Sequence, residues 1–230
     1  MALSDDEVSV LLTEAGPRWA VSLTEASPDR DGVPASWSAV VAAQTPQSRV
    51  QAAAALWRAV LGDDMAQTQQ MITHECADVR LGRSDGQWCL VYLVEHHAGK
   101  PYREIRAWVG LEPRPFDDAH PFARCVPSQI ASFIATIHDG WTAINRETNG
   151  LQAQQYWQSV ADAAGETDWS WWEFEPRPES LMVIGTDGGV DCCLSPDIPA
   201  GHGVLVYPGD APDDPKPLAD LLDDIVAATL

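Results

Sequence analysis

Positively charged residues are scarce in this sequence. Lysine and arginine number 14 among 230 residues, against 34 aspartates and glutamates, which gives a formal net charge of −20. Because nucleic-acid binding requires cations that neutralise phosphates, and anionic membranes attract basic proteins, this balance argues against both kinds of partner. The deficit is largest in residues 116–230, where 4 basic residues face 19 acidic ones. The C-terminal half is therefore predicted to attract a cationic partner.

Long apolar runs, a secretion signal and paired cysteines are also missing. The longest apolar runs are about six residues, as in 89–94, and are too short for a transmembrane helix. Residues 1–7 are acidic and lack the basic and apolar regions of a signal peptide. No CxxC pair is present, which disfavours a zinc site; the five cysteines are Cys76, Cys89, Cys125, Cys192 and Cys193. We expect a reduced, cytoplasmic protein.

Sequence signatures of catalysis and of cofactor binding are absent as well. Residues 74–76 (His-Glu-Cys) lack the second histidine of a metalloprotease helix, and no glycine-rich phosphate loop precedes a predicted helix. A nucleophilic set could be drawn from Cys125, His138 and Asp139, but no local motif supports it. The sequence therefore predicts no enzyme, no metal and no cofactor. A small hydrolase that uses Cys125 or a carboxylate pair is kept as an alternative.

The hydrophobic pattern predicts an α+β protein, an antiparallel sheet with packed helices. Hydrophobic residues make up 45% of the chain, enough for a packed core, and ten of the residues are tryptophans. Helical periodicity and caps predict helices that start at Ser4 and cover 47–61, 64–74, 128–138, 151–164 and 217–229. Alternating or β-branched segments predict strands at 18–24, 77–81, 87–95, 102–110, 181–186, 190–195 and 204–207.

A proline-rich stretch over residues 112–127 divides the chain into two predicted regions. Residues 1–111 form an α+β region of unknown type, either a separate domain or an N-terminal extension of the same sheet. Residues 112–230 form the second region.

Two acidic segments of the C-terminal half are candidate contact surfaces. In residues 169–175, strand alternation would place Trp172 and Phe174 on one face. Trp171, Glu173 and Glu175 would lie on the other face. This segment is either a half-buried strand or an exposed tryptophan beside two carboxylates that grips a basic partner. A second, proline-rich segment is either a solvated loop or a rigid acidic contact; it carries Asp210, Asp213 and Asp214.

The C-terminal region resembles the SUKH superfamily. The resemblance begins at Val126-Pro127, continues through a helix with apolar Ile130, Phe133 and Ile134, and reaches the motif His138-Asp139-Gly140-Trp141. Residues 181–191 are similar to the second family signature, a strand that leads into an Asp-Gly-Gly turn and a returning strand. The predicted helix over 218–228 matches the closing helix of the family. A tryptophan-rich insertion between Trp141 and Leu181 departs from the family pattern.

The resemblance implies a function as well as a fold. Many bacterial members are immunity proteins of polymorphic toxin systems, which bind a cognate toxin, often a nucleic-acid-modifying enzyme, and block it without catalysis. We expect the motif residues to be mainly structural and a basic toxin to be the partner. The predicted partner contacts are Asp139, Trp171, Glu173, Glu175, Asp187, Asp191, Asp210, Asp213 and Asp214. A non-enzymatic regulatory scaffold is the alternative, and the oligomeric state stays open.

Overall fold

A computed structural model describes residues 4–14, 21–24, 31–96, 104–144, 149–165 and 169–228. These residues contain seven α-helices and one eleven-stranded sheet whose pairs are all antiparallel. The α+β class is therefore confirmed. None of the helices in these ranges combines the length and the apolar composition needed to cross a bilayer.

The helices begin where the sequence places its capping residues. At the first helix, Ser4 N donates to Glu7 Oε2 at 2.8 Å and Glu7 N donates to Ser4 Oγ at 3.3 Å, a reciprocal capping box. Thr45 and Ser48 form the same arrangement at the third helix, with proline at its first position. The helices are α1 (Asp5–Glu14), α2 (Ser38–Ala42), α3 (Pro46–Leu61), α4 (Ala66–His74), α5 (Ser128–Thr136), α6 (Val160–Ala163) and α7 (Leu218–Ala227).

The strands form a meander that runs from the N-terminal to the C-terminal edge of the sheet. They are β1 (Val21–Leu23), β2 (Cys76–Ser84), β3 (Gln87–His96), β4 (Glu104–Leu111), β5 (Trp141–Ala143), β6 (Gly150–Leu151), β7 (Gln158–Ser159), β8 (Met182–Thr186), β9 (Asp191–Leu194), β10 (His202–Val206) and β11 (Lys216–Pro217). Their spatial order is β1-β2-β3-β4-β5-β6-β8-β9-β10-β11, and β7 also pairs with β8. Asp85 and Gly86 turn between β2 and β3 with φ of 50° and 79°, values that a tight hairpin requires.

The predicted helix over residues 151–164 is wrong. The chain instead forms β6, a 3₁₀ turn at Gln154–Tyr156, β7 and the single-turn helix α6. The reason is tertiary, because this segment supplies partners for the backbone of β8. Leu151 pairs with Gly185, Gln152 N donates to Ile184 O at 2.8 Å, and Gln158 pairs with Val183. The hydrogen bonds that these backbone groups gain in the sheet outweigh the helical preference of the local sequence.

Both faces of the sheet are covered, but unequally. The larger buried cluster lies between the sheet and the helices α2 to α5 and α7, and it contains Trp57, Tyr92 and Ile184. On the opposite face, α1 covers β3 and β4. The same face of β8 to β10 is covered by the segment around Trp172, which shares a buried cluster with Val206. This layering buries an apolar face on each side of the sheet.

The sheet continues across the predicted boundary at residue 111. Strand β4 pairs with β5, with Val109 opposite Thr142. The larger buried cluster also draws on both regions. Furthermore, the Asp223 carboxylate of α7 accepts hydrogen bonds from the first turn of α4. The described residues before 112 therefore extend the sheet of the C-terminal region and share its core.

Candidate protein-binding surface

The histidine of the family-like motif is a structural residue. His138 is fully buried, and with its proton on Nδ1 it donates to Leu111 O at 3.2 Å. Its Nε2 then accepts from the Tyr92 hydroxyl at 2.8 Å, and that hydroxyl accepts from Trp57 Nε1 at 3.1 Å. Burial lowers the pKa of His138 from 6.5 to about 3. The side chain is thus neutral and lies inside an aromatic cage formed by the rings of Trp37, Trp57, Tyr92 and Phe133.

The predicted contact role of Asp139 is wrong, because Asp139 is only 2% exposed. Its Oδ1 accepts from Gln154 N at 3.0 Å and from Gln154 Nε2 at 3.3 Å. Burial raises the pKa of the carboxyl, although the bonds from Gln154 oppose this effect. Gly140 follows with a φ of 89°, and a Cβ there would lie 2.5 Å from Ala153 N. The close approach of the two segments therefore encloses Asp139.

The structure does not assemble a nucleophilic set from Cys125, His138 and Asp139. Both ring nitrogens of His138 bond to other groups, and the Asp139 carboxylate bonds to Gln154. Burial raises the pKa of the Cys125 thiol, which favours its unreactive protonated form. Across the ranges that the structure describes, no group of three or more His, Cys, Asp or Glu side chains is arranged to hold a metal ion.

The Asp-Gly-Gly hairpin is closed by its own side chains. Asp187 Oδ1 accepts from Gly189 N at 2.7 Å and from Val190 N at 2.8 Å, and Gly188 has a φ of 91°. Asp187 and Asp191 are both half-buried. Burial raises the pKa of Asp191, and the charge of Asp187 adds to this shift. These two aspartates therefore hold the turn or lie beside it, with only part of each side chain open to a partner.

The predicted strand over residues 169–175 is wrong. Trp172 N donates to Trp169 O at 2.9 Å, which bends the chain into a turn. Only Trp172 is inserted into the core, at 2% exposure, where its Nε1 donates to Pro176 O at 3.2 Å. Trp171 is 46% exposed and Phe174 is 36% exposed, so Phe174 does not share the burial of Trp172 as alternation predicted.

The exposed rings are held in place by their neighbours. The Trp171 ring centroid lies 5.7 Å from that of Trp169 and 5.6 Å from that of Trp172, and the Phe174 centroid lies 5.4 Å from that of Trp172. Buried Trp172 therefore anchors the exposed rings beside it.

Two exposed carboxylates belong to the same segment. Glu173 and Glu175 are both solvent-exposed. Glu175 Oε1 lies 3.9 Å from Arg177 Nε, and the Arg177 guanidinium also donates to Trp172 O. Within the described residues, Glu173 forms no hydrogen bond or ion pair. At least one of the two carboxylates is thus available to a partner.

The loop after β10 adds a third exposed ring and three carboxylates. Tyr207 is 41% exposed and directly follows Val206, which belongs to the same buried cluster as Trp172. The loop folds back, because Asp213 N donates to Leu205 O at 2.9 Å. We use the name aromatic–acidic surface for the exposed residues of these two segments, which are Trp171, Glu173, Phe174, Glu175, Tyr207, Asp210, Asp213 and Asp214.

Exposed aromatic side chains are concentrated on this surface. Among the described residues, the large hydrophobic side chains with the highest exposure are Val10, Trp171, Phe174 and Tyr207, of which all but Val10 lie here. Sequence reasoning missed Phe174, which alternation placed on the buried face, and Tyr207, which it treated as the end of a strand. Their exposure depends on a turn and a chain reversal that no local pattern encodes.

A polar cleft of about 450 Å³ lies elsewhere, between α3, the end of α4 and the start of β2. It is lined in part by His74, Glu75, Cys76 and Glu95. Burial raises the pKa of the Cys76 thiol to about 12, and the thiol donates to Asp78 O at 3.1 Å. Cys76 is therefore protonated at neutral pH and is not primed as a nucleophile.

Comparison with known proteins adds no relative. No protein-family model, no curated protein and no solved structure matches the chain.

Proposed function

We propose that this protein is a non-enzymatic immunity protein that binds a basic bacterial toxin in the cytoplasm and neutralises it by occlusion. The observation that carries the proposal is the aromatic–acidic surface, because each of its two segments combines exposed aromatic and exposed carboxylate side chains. The resemblance of residues 112–230 to the SUKH superfamily supports the choice of a toxin as the partner.

The chemistry of this surface suits protein recognition. Tryptophan and tyrosine are the residues that most often dominate binding energy at interfaces, and the three exposed rings can supply such anchors. The surrounding carboxylates raise the rate of encounter with a positively charged partner. A toxin that acts on nucleic acid needs a basic groove for phosphates, and carboxylates can occupy that groove.

The buried thiols support a binding role over a hydrolytic one. Burial raises the pKa of Cys192 to about 12 and that of Cys193 well above its ordinary value. Together with Cys76 and Cys125, these thiols are protonated at neutral pH, whereas nucleophilic catalysis requires a thiolate.

A co-expression experiment tests the proposal. The product of the gene adjacent to this one is induced in a bacterial host with and without this protein. We expect induction alone to stop growth, and this protein to restore growth through a complex that copurifies. A harmless neighbour, or a toxic neighbour that this protein neither binds nor counteracts, would contradict the proposal. Copurification with several host proteins instead would favour a regulatory scaffold.

Charge reversal tests whether the aromatic–acidic surface makes the contact. The variant carries Glu173→Lys, Glu175→Lys, Asp213→Lys and Asp214→Lys. We expect its association rate constant with the toxin to fall about tenfold or more at low salt, since steering by opposite charges is lost. The difference should shrink at high salt, where the Debye length is only about 3 Å. Stopped-flow binding over a range of salt concentrations measures both effects.

A matched variant controls for net charge. It reverses four exposed acidic residues outside the surface, namely Asp31, Asp63, Glu75 and Asp118. We expect this variant to slow association much less than the first, because its charges belong to other segments of the chain. Equal slowing by the two variants would show that the association rate depends only on net charge. That result would contradict the assignment of the contact to this surface.

A further inference from the structure

The ring of Trp171 is both exposed and fixed. It is 46% exposed, yet it packs against the rings of Trp169 and Trp172 at centroid distances of 5.7 and 5.6 Å. A partner that binds such a ring loses little conformational entropy, because the side chain is already ordered. Trp171 is therefore a preorganised contact.

The π face of Trp171 carries no cation from the described part of the chain. Arg177 is the nearest basic residue in sequence, and its guanidinium donates to Trp172 O and lies near Glu175. The protein does use such stacking elsewhere, because the Arg83 guanidinium carbon lies 3.8 Å from the centre of the Trp88 ring. Trp171 offers the same aromatic chemistry with its cation position open.

We propose that Trp171 is a stacking platform for an arginine side chain of the protein partner, with Glu173 as the carboxylate that pairs with its guanidinium. This inference rests on the proposed function, since the arginine belongs to the basic toxin. Tryptophan has the ring that binds cations best. Arginine fits better than lysine because its planar guanidinium stacks on a ring and donates two parallel hydrogen bonds to a carboxylate.

Two peptides of equal charge test the proposal without the toxin. The full-length protein is titrated by calorimetry with acetylated hexa-arginine amide and with acetylated hexa-lysine amide. Long-range attraction to the acidic protein is the same for both peptides and cancels in the ratio of their dissociation constants. We expect the wild type to prefer the arginine peptide, and Trp171→Leu to reduce that preference about two- to fivefold, the size of an exposed cation–π contact. Trp171→Phe, which keeps a ring, should retain part of it.

Val10→Ala is the control variant, because Val10 is an exposed apolar residue on α1, at 60% exposure. It should leave the ratio unchanged, and thermal melting should show that Trp171→Leu is folded. Equal binding of the two peptides by the wild type, or an unchanged preference in Trp171→Leu, would overturn the inference.

The toxin itself separates failure of the inference from failure of the proposed function. If the wild type and Trp171→Leu bind the adjacent gene product equally well, the stacking platform is wrong and the proposed function stands. If neither binds it but the peptide preference depends on Trp171, the proposed function is wrong and the platform stands.

Discussion

Asp223 should be one of the residues on which the stability of the whole molecule depends most. It lies on α7, is 6% exposed, and completes the N-terminus of α4, whose own N-cap residue, Met65, forms no side-chain capping hydrogen bond. Its Oδ2 accepts from Gln67 N at 2.8 Å, and its Oδ1 accepts from Thr68 N at 2.7 Å and from Thr68 Oγ1 at 2.6 Å. One carboxylate therefore caps a helix from 155 residues away in the chain.

The cost of removing this carboxylate follows from the groups that it leaves unpaired. Loss of an ordinary N-cap side chain costs about 0.5–2 kcal/mol. Asp223 serves two backbone N–H groups and a hydroxyl, and hydrogen bonds to a charged group contribute about 1.5–3 kcal/mol each. Allowing for water that reaches the opened site, we expect Asp223→Ala to lower the free energy of unfolding by about 3 kcal/mol. For a chain of this size that corresponds to a fall in melting temperature of about 6–12 °C.

Urea unfolding followed by circular dichroism measures the loss, and Asp224→Ala is the control. Asp224 is the next residue on the same helix and is exposed, so its removal should change the free energy of unfolding by less than about 0.5 kcal/mol. Asp223→Asn keeps one acceptor oxygen and should cost about half as much as Asp223→Ala.

A double-mutant cycle of Asp223→Ala with Thr68→Val tests the contact itself. We expect the two losses to add up to more than the loss in the double variant, since both remove the bond to the Thr68 hydroxyl. If Asp223→Ala were no more destabilising than Asp224→Ala, capping across the two regions would make no contribution and this reasoning would fail.

Two further predictions concern the cage around His138. The pKa of His138 is lowered to about 3 in the folded protein, so the unfolded chain binds a proton between pH 6.5 and 3 that the folded protein does not. The free energy of unfolding should therefore fall as the pH drops through this window, by about 2 kcal/mol at pH 5. Denaturant titrations at pH 7.5 and pH 5 measure this loss, which should be smaller for His138→Gln. In Gly110→Ala the new Cβ would lie 2.4 Å from His138 Nδ1, so we expect a loss on the order of 3 kcal/mol in thermal or urea unfolding. Gly189→Ala, where the nearest atom is 3.5 Å away, should be nearly neutral, and equal losses in the two glycine variants would contradict the clash.

Much of the framework follows from local sequence signals. Thr45-Pro46 predicts the start of α3 because a cap and an N1 proline act within one turn. Asp187-Gly188-Gly189 predicts the β8–β9 hairpin for the same reason, since its bonds join residues within three positions of one another. Elements that are specified by neighbours in the chain can be predicted from the sequence.

The errors fall where distant segments decide the conformation. Residues 151–164 have a helical period, but within this segment β6 and β7 pair with β8 instead. Asp139 looks like an exposed loop residue, but it is enclosed because Gly140 lets Ala153 and Gln154 approach. The candidate surface was found only in part, since Trp171 and the carboxylates were predicted whereas Phe174 and Tyr207 were not.

Two adjacent tryptophans differ sharply in burial, and the difference separates a residue of the core from a residue of the proposed contact. Trp172 is 2% exposed and fills the buried cluster on the face of β8 to β10 that lies opposite the larger cluster, so the fold requires it. Trp171 is 46% exposed and does not belong to that cluster, yet it keeps a large apolar ring in water, in a segment that also carries Glu173 and Glu175. Because a polar residue could take its position in the turn without emptying the core, packing does not account for a tryptophan there. We therefore propose that Trp171 serves to bind the partner, and we place it at the centre of the proposed contact.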